Sequence, residues 1–522
     1  MEAGDWKAQW KYDATGLEIQ RELTGGISQI TEHDQLGRVV RRSINSHNVE
    51  KSRTRYFWGT ANRLLKTLNE VTGASANFTY DAWDNLVSGT YQSRKETETI
   101  YKAPDAIGNL FETPDQKDRT YGAGGKLLKD LRYNYYYDPE GNLIFKEFRK
   151  STQQAVISAS SIEHKYGISL MGSGVGWQYE WKGNGMLARV ILPKGGEVNF
   201  FYDPLGRRIA KEYKNKVTRW LWDGNVPLHE WEYEGRFPPE LIIDEENNVQ
   251  EVAESTENVI TWLYQDGSFV PCGKIVGEEQ FSIISDYLGT PTHAYDHTGS
   301  LVWERELDVY GSLRKGDNEF VPFLYQGQYV DGETGLAYNR FRYYDNESGN
   351  YISQDPISIL GGLNIYAYVH DLNVWTDELG LSARNNGGDA TGSGKNIGDK
   401  WLKGTNGNAG LFPADIADNL RGKSFGSFKD FREAFWKEVA TNPKYSSAFS
   451  PQNIKRMEKG RAPKAHKSQW DGKVGSYQLH HITPIHAGGG VFDMDNLLIV
   501  TPRFHKEVLD PNYHYDRKPP HH

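Results

Sequence analysis

The feature that most constrains this 522-residue chain is a turn that keeps returning. It reads Tyr12-Asp13-Ala14-Thr15-Gly16, Tyr80-Asp81-Ala82-Trp83-Asp84-Asn85-Leu86, Tyr137-Asp138-Pro139-Glu140-Gly141-Asn142-Leu143, Tyr202-Asp203-Pro204-Leu205-Gly206-Arg207 and Tyr295-Asp296-His297-Thr298-Gly299-Ser300-Leu301. An aromatic strand end meets an Asp, a turn of Pro, Gly or Asn follows, and a new strand opens on Leu or Arg. Degenerate copies lie at His33-Asp34-Gln35-Leu36-Gly37-Arg38 and from Tyr179 to Leu187. Each copy fits a β-hairpin whose turn needs residues tolerant of positive φ. The spacing is irregular, which excludes a solenoid of fixed period. With 54 Gly, 31 Tyr and 13% aromatic residues, the composition favours turn-rich β structure over a helical bundle.

The set resembles the YD repeats of Rhs and related polymorphic-toxin proteins, which implies a mainly β fold, a long spiralling sheet that forms a hollow shell. The likeness sharpens in Tyr325-Gln326-Gly327-Gln328-Tyr329, in Asp331 to Asp345, in Gly349 to Pro356 and in Gly361 to Tyr368, which resemble the end of the Rhs core. That core closes with a proline, four residues and Asp-Pro-x-Gly-Leu, after which many family members cut themselves. Here the stretch is Leu372 to Leu381, with Asp377 and Gly380-Leu381 retained and both prolines replaced. The resemblance implies Asp355 and Asp377 as the self-cleavage pair, since two carboxylates sharing a site can act as acid and base. The competing reading has both aspartates merely capping turns. The chain is therefore divided into a YD-repeat region at 1–324 and a core end with a degenerate cleavage motif at 325–381. Because a full shell of this family is larger, the shell is expected to be incomplete at its N-terminus.

Residues 382–397 read as a polar, glycine-rich, flexible linker, and 398–522 as a second, small α+β domain. Ser427 followed by Asp430 looks like a capping pair, and Phe428, Phe431, Phe435 and Val439 form a helical apolar stripe. Further on come Ser476-Tyr477-Gln478-Leu479-His480-His481-Ile482-Thr483-Pro484-Ile485-His486, then Asp493-Met494-Asp495-Asn496, then Thr501-Pro502-Arg503-Phe504-His505. Adjacent histidines on a strand face opposite ways. Gly488-Gly489-Gly490 supplies a turn, Val491-Phe492 with Leu497 to Val500 reads as a returning strand, and Thr501-Pro502 starts a helix with His505 in its first turn. Strand, loop, strand and helix would bring His480, His481, Asn496 and His505 together.

These residues resemble the HNH, or ββα-metal, motif of the DNase domains of nuclease colicins and S-type pyocins, with further likeness over roughly residues 384 to 509. The resemblance implies His481 as the general base for the attacking water, a task suited to imidazole. It implies His480 and His505 as ligands of one divalent cation, Asn496 as the residue that fixes the base-bearing loop, and Arg384 as a phosphate clamp. Three departures stand out. A further metal-binding His four residues after His505 is Leu509 here, the lead-in glutamate is Gln478, and a nearby arginine is Val474 beside Lys473. Loss of one imidazole favours hydrated Mg²⁺, with Zn²⁺, Ni²⁺ or Mn²⁺ as alternatives. His514 is a candidate substitute ligand, whereas His466, His486, His521 and His522 read as solvated.

From Ser382 onward the chain holds 21 Lys+Arg against 14 Asp+Glu, a net +7, while the rest carries −16. A basic terminal domain suits DNA. Lys473, Arg456 and Arg461 are the expected phosphate contacts, within a run that includes Lys455, Lys459, Lys464 and Lys467; a merely solvated face is the alternative. The single cysteine, Cys272, excludes an intramolecular disulfide and a cysteine-cluster zinc site. No apolar run approaches the ~18 residues of a membrane span. The expectation is thus an antibacterial effector made in the bacterial cytoplasm without a cleavable signal and exported by a secretion apparatus or its adaptor. It would act on DNA in the target cytoplasm and be countered by an acidic immunity protein. The rival class is a non-enzymatic YD-repeat surface protein carrying an inactivated nuclease remnant.

Overall fold

The computed structural model describes residues 1–506, apart from 14–16, 154, 156–157, 240, 244–248, 252–253, 266, 358–363, 382–383, 386–389, 398–400, 403–407, 424, 426–427 and 483–491. Two compact units emerge. The first comprises Met1–Trp10, Gln20–Glu32 and Val39–Arg384; the second comprises Lys11–Ile19, His33–Arg38 and Asn385–His522.

The β-rich unit is built from antiparallel strands that pair in chain order. One sheet of ten strands runs from Glu2–Ala3 to Thr97–Tyr101, and one of fifteen runs from Thr120–Tyr121 to Leu301–Glu304. Such pairing needs only hairpins, and the Asp turns supply them. At Asp81, Asp105, Asp203, Asp286, Asp296 and Asp308 one carboxylate oxygen accepts the N–H groups two and four residues ahead, at 2.7–3.0 Å. The fourth residue of each turn sits at a φ between +66° and +89°, which is why five of these six positions are Gly and the sixth is Asp84. Asp105, Asp286 and Asp308 follow Pro104, Ser285 and Leu307, so the Tyr-Asp signature misses them. The carboxylate, not the ring, makes the turn.

The ring has a different task. Tyr80, Tyr137 and Tyr202 hydroxyls donate to the carbonyls of Leu64, Leu127 and Leu187 at 3.0, 3.0 and 2.8 Å. Trp58, Trp181 and Trp222 indoles do the same to Val39, Leu143 and Arg208 at 2.7, 2.8 and 2.7 Å. In all six cases the acceptor is the first residue after the preceding turn. Six hairpins are thereby each bonded to the one before.

The four-stranded sheet Tyr329–Val330, Leu336–Asn339, Arg342–Asp345 and Asn350–Tyr351 lies buried on both faces. Alternation decides which residue goes where. Leu336, Tyr338 and Tyr343 join the core of the larger sheet with Leu187, Val198 and Phe200, whereas Ala337, Tyr344 and Tyr351 pack with Leu86 and Leu110 of the N-terminal segment. Buried ion pairs fix its position. Arg208 grips Asp331 with both Nη atoms at 2.5 and 3.0 Å, and Lys146 reaches Asp345 at 3.0 Å. Trp6, Ala8, Leu23, Ile27 and Ile44 pack on Leu263, Cys272, Ile284 and Tyr295, joining the start of the first sheet to the end of the second.

The C-terminal unit is α+β. The helix Phe428–Thr441 buries Phe431, Phe435 and Val439 completely, together with Trp436, which the apolar stripe did not include. This face covers a three-stranded sheet whose central strand, Leu497–Val500, lies between Ala409–Leu411 and Gln478–His481. Two expectations need correction. Phe492 is not part of the returning strand, which begins at Leu497, because the Asp493 carboxylate accepts the Asp495 N–H at 3.0 Å and caps a 3₁₀ turn over Met494–Asn496; Val491 lies outside the described residues. Of the expected flexible linker 382–397, Arg384–Asn385 is a short strand and residues 390–397 are a bonded strap: Thr391 exchanges hydrogen bonds with Phe492 and Met494, and Lys395 does so with Phe412 and Ala414.

Candidate active site

The sheet sets the site. Pairing of Gln478–His481 with Leu497–Val500 puts Leu479 opposite Ile499 and His480 opposite Leu498. Leu479 packs against the apolar core and His480 is 3% exposed. After Val500 the Thr501 hydroxyl accepts the Phe504 N–H, Pro502 occupies the first helical position, and His505 closes that turn by donating its N–H to the Thr501 carbonyl at 2.9 Å. The rings of His480 and His505 meet edge to face, centroids 4.9 Å apart and planes at 80°. Asn496, 8% exposed, ends the capped turn, and its carbonyl accepts the Ile482 N–H at 2.8 Å, which ties that turn to the residue after His481.

Two neighbouring imidazoles suit a divalent cation, and among the described residues no group of three or more His, Cys, Asp or Glu stands ready to hold one. The donor set fits a site that takes its remaining ligands from water or substrate oxygen. The His481 side chain, His486, Gly488–Gly490, Leu509, His514, His521, His522, Ser427 and the Asp430 side chain lie outside the described residues.

The basic candidates divide. Arg456 donates through Nε and Nη2 to the Ala462 carbonyl, both at 3.2 Å, and so closes the loop after the helix Pro451–Met457. Arg461 and Lys473 are exposed. Gln478 lies half-buried on the strand, paired with Val500. Arg384 is the last residue of the first unit, within the short strand Arg384–Asn385.

The self-cleavage candidates converge within the β-rich unit. Arg342 Nη2 lies 3.1 Å from Asp355 and 3.2 Å from Asp377, and its Nε donates to the Gly380 carbonyl at 2.5 Å. Asp377 also accepts the Tyr351 hydroxyl and the Leu381 N–H, both at 2.9 Å. Burial holds the Asp355 carboxyl above its ordinary value, against the pull of the Arg342 guanidinium. Arg342 is a residue the sequence reading did not single out; only its place in the Arg340-Phe341-Arg342 run marked it.

Comparison with known proteins follows the same division. Residues 388–510 match the family described as Colicin/Pyocin-S2, DNase domain, and residues 241–374 match the teneurin YD-shell. The chain joins an Rhs-type YD shell to a colicin/pyocin-type DNase domain. The DNase domain begins before residue 398 and takes in the strap. A probable deoxyribonuclease RhsB of Dickeya dadantii is 25% identical over 92% of this chain, which spans 30% of that protein. Colicin-E8 of Escherichia coli is 48% identical over 23% of this chain and 60% of its own length. A solved pyocin AP41 DNase–immunity complex has 38% identity over 23% of this chain and 95% of that one, with a TM-score of 0.22. The chain thus spans less than two thirds of the curated relatives named here.

Proposed function

We propose that this chain is an antibacterial toxin whose C-terminal domain hydrolyses DNA phosphodiester bonds with little sequence preference. The observation that carries the reading is the His480–His505 ring pair, presented by a strand and a capped helical turn inside the stretch that matches the DNase family. His480 and His505 would hold one divalent cation, Mg²⁺ first, which when bound supplies charge stabilisation at the scissile phosphate. His481, next on the strand, takes the proton from the attacking water. Asn496, whose carbonyl holds the Ile482 N–H, keeps that histidine's backbone in place. The excess of basic residues after Ser382 attracts the phosphate backbone without reading bases. An acidic immunity protein and a secretion apparatus or adaptor belong to the same proposal, with action in the target-cell cytoplasm.

The carboxylate pair adds a processing step. Asp355 and Asp377 act as a base and acid pair in hydrolysis of the peptide bond after Leu381: one carboxylate takes a proton from the water that attacks the Leu381 carbonyl, the other carboxyl gives a proton to the departing Ser382 nitrogen, and Arg342 holds the two together. The Leu381 N–H on Asp377, which brings the residue before that bond to the pair, supports this reading. The deciding experiment is supercoiled-plasmid nicking by the full chain with Mg²⁺, with Zn²⁺ and with chelator, beside His481→Ala. Metal-dependent nicking lost in the variant supports the proposal. Absence of nicking from a folded chain with every metal refutes it.

A further inference from the structure

The strap that opens the DNase domain is bonded to the turn that carries Asn496, and one carboxylate receives most of it. Asp495 Oδ2 accepts the Ser393 N–H at 2.9 Å and the Ser393 hydroxyl at 3.3 Å, while Lys395 Nζ stands 3.4 Å from Oδ1. On either side of this contact, Thr391 accepts the Met494 N–H at 2.8 Å and donates to the Phe492 carbonyl at 3.1 Å. The approach is close enough to demand glycine. Gly392 has φ +86°, and a Cβ there would collide with Asp493 Oδ1 and lie 2.7 Å from Asp495 N. Its carbonyl accepts Arg421 Nε at 3.0 Å, so the strap is held from the helical side as well.

Asp495 connects the strap to the site through the backbone of its own turn. It sits one residue before Asn496, inside the 3₁₀ turn that Asp493 caps, and the Asn496 carbonyl holds the Ile482 N–H beside His481. A continuous bonded path therefore runs from Ser393 through Asp495 and Asn496 to the strand end that bears the base. Without the strap the turn would lose the Ser393 and Lys395 contacts and keep the Asp493 cap, the bond to Ile482 and the burial of Met494.

We propose that Asp495, held by Ser393 and Lys395, is a positioning residue for the nuclease reaction. The proposal rests on the nuclease reading above. The strap is part of the catalytic domain's working parts, and Gly392 is required for its approach.

The test uses the full chain and two independent readouts. In plasmid nicking, Asp495→Ala lowers kcat by about 10- to 100-fold, as outer-shell losses do, with KM and the Mg²⁺ needed for half activation unchanged. Asp495→Asn keeps an oxygen for the Ser393 N–H and recovers most of the rate. In amide hydrogen exchange, Asp495→Ala and the milder Ser393→Ala speed exchange at Ile482 and Asn496 but not at Leu498 and Ile499. If wild type does not nick DNA, the nuclease reading fails, and faster exchange at Ile482 still establishes the coupling. Unchanged exchange at Ile482 overturns the proposal, as does a parallel loss of kcat, KM and melting temperature, which would mark Asp495 as a general structural residue.

Discussion

Asp355 and Asp377, 22 positions apart in sequence, share a single guanidinium nitrogen, Arg342 Nη2, at 3.1 and 3.2 Å. Arg342 in turn lies over the Tyr351 ring, its guanidinium carbon 3.6 Å from the ring centroid. The lost prolines of the closing motif have not prevented the pair from forming.

Asp355→Asn and Asp377→Asn should each leave the full chain uncut, whereas wild type yields a fragment starting at Ser382. Gel mobility of the purified chain and N-terminal sequencing of the smaller band check this. An uncut wild type would leave the two aspartates as buried partners of Arg342.

Histidine substitutions should separate two roles. His481→Ala is expected to lower kcat for nicking by about 10²- to 10⁴-fold, the range for a general base. His480→Ala and His505→Ala should instead shift half-maximal activation to higher Mg²⁺, and chelator should abolish wild-type nicking. A metal titration of the three variants distinguishes the outcomes.

Tyr202→Phe tests the bonds between hairpins. The hydroxyl of this half-buried side chain lies 2.8 Å from the carbonyl of the buried Leu187 and 2.7 Å from the Tyr343 hydroxyl. Its removal leaves a buried acceptor unpaired and should cost about 1–3 kcal/mol, read as a lower melting midpoint of the YD shell.

Asp371 gives the shell a pH dependence. It is 4% exposed, and burial pushes its carboxyl up to about 7 from an ordinary 3.8. A carboxyl raised on folding contributes stability fully below its unfolded value, and that contribution is lost as pH rises through the folded one. Asp371→Asn should therefore match wild type near pH 3.5, gain on it from about pH 4 to 7, and hold a constant advantage above. Denaturant midpoints at pH 4, 6 and 8 provide the check.

What the sequence disclosed depended on how local the physics is. The Asp turns were legible because acceptor, donors and left-handed Gly fall within five residues, as at Asp203 to Arg207. The partners of the rings were not, because a backbone carbonyl such as that of Leu64 carries no residue identity. His480 and His505 were legible from strand and cap signals on either side. Gly392 was misread as flexible; glycine there serves a close approach, and only the fold reveals what it approaches. Arg342 was hidden because its value lies in two carboxylates supplied by segments further along the chain.

The bonds from each ring to the hairpin before it give the shell a direction of construction. Tyr80 finds its acceptor in chain already made, and so do Trp181, Tyr202 and Trp222. These carbonyl acceptors all precede the rings that bond to them, and later residues such as Tyr343 and Asn373 add to the Tyr202 and Tyr80 hydroxyls afterwards. The wall can be laid course by course as the ribosome delivers it, and the inner sheet of Tyr329 to Tyr351, which needs both flanks standing, arrives when they are in place.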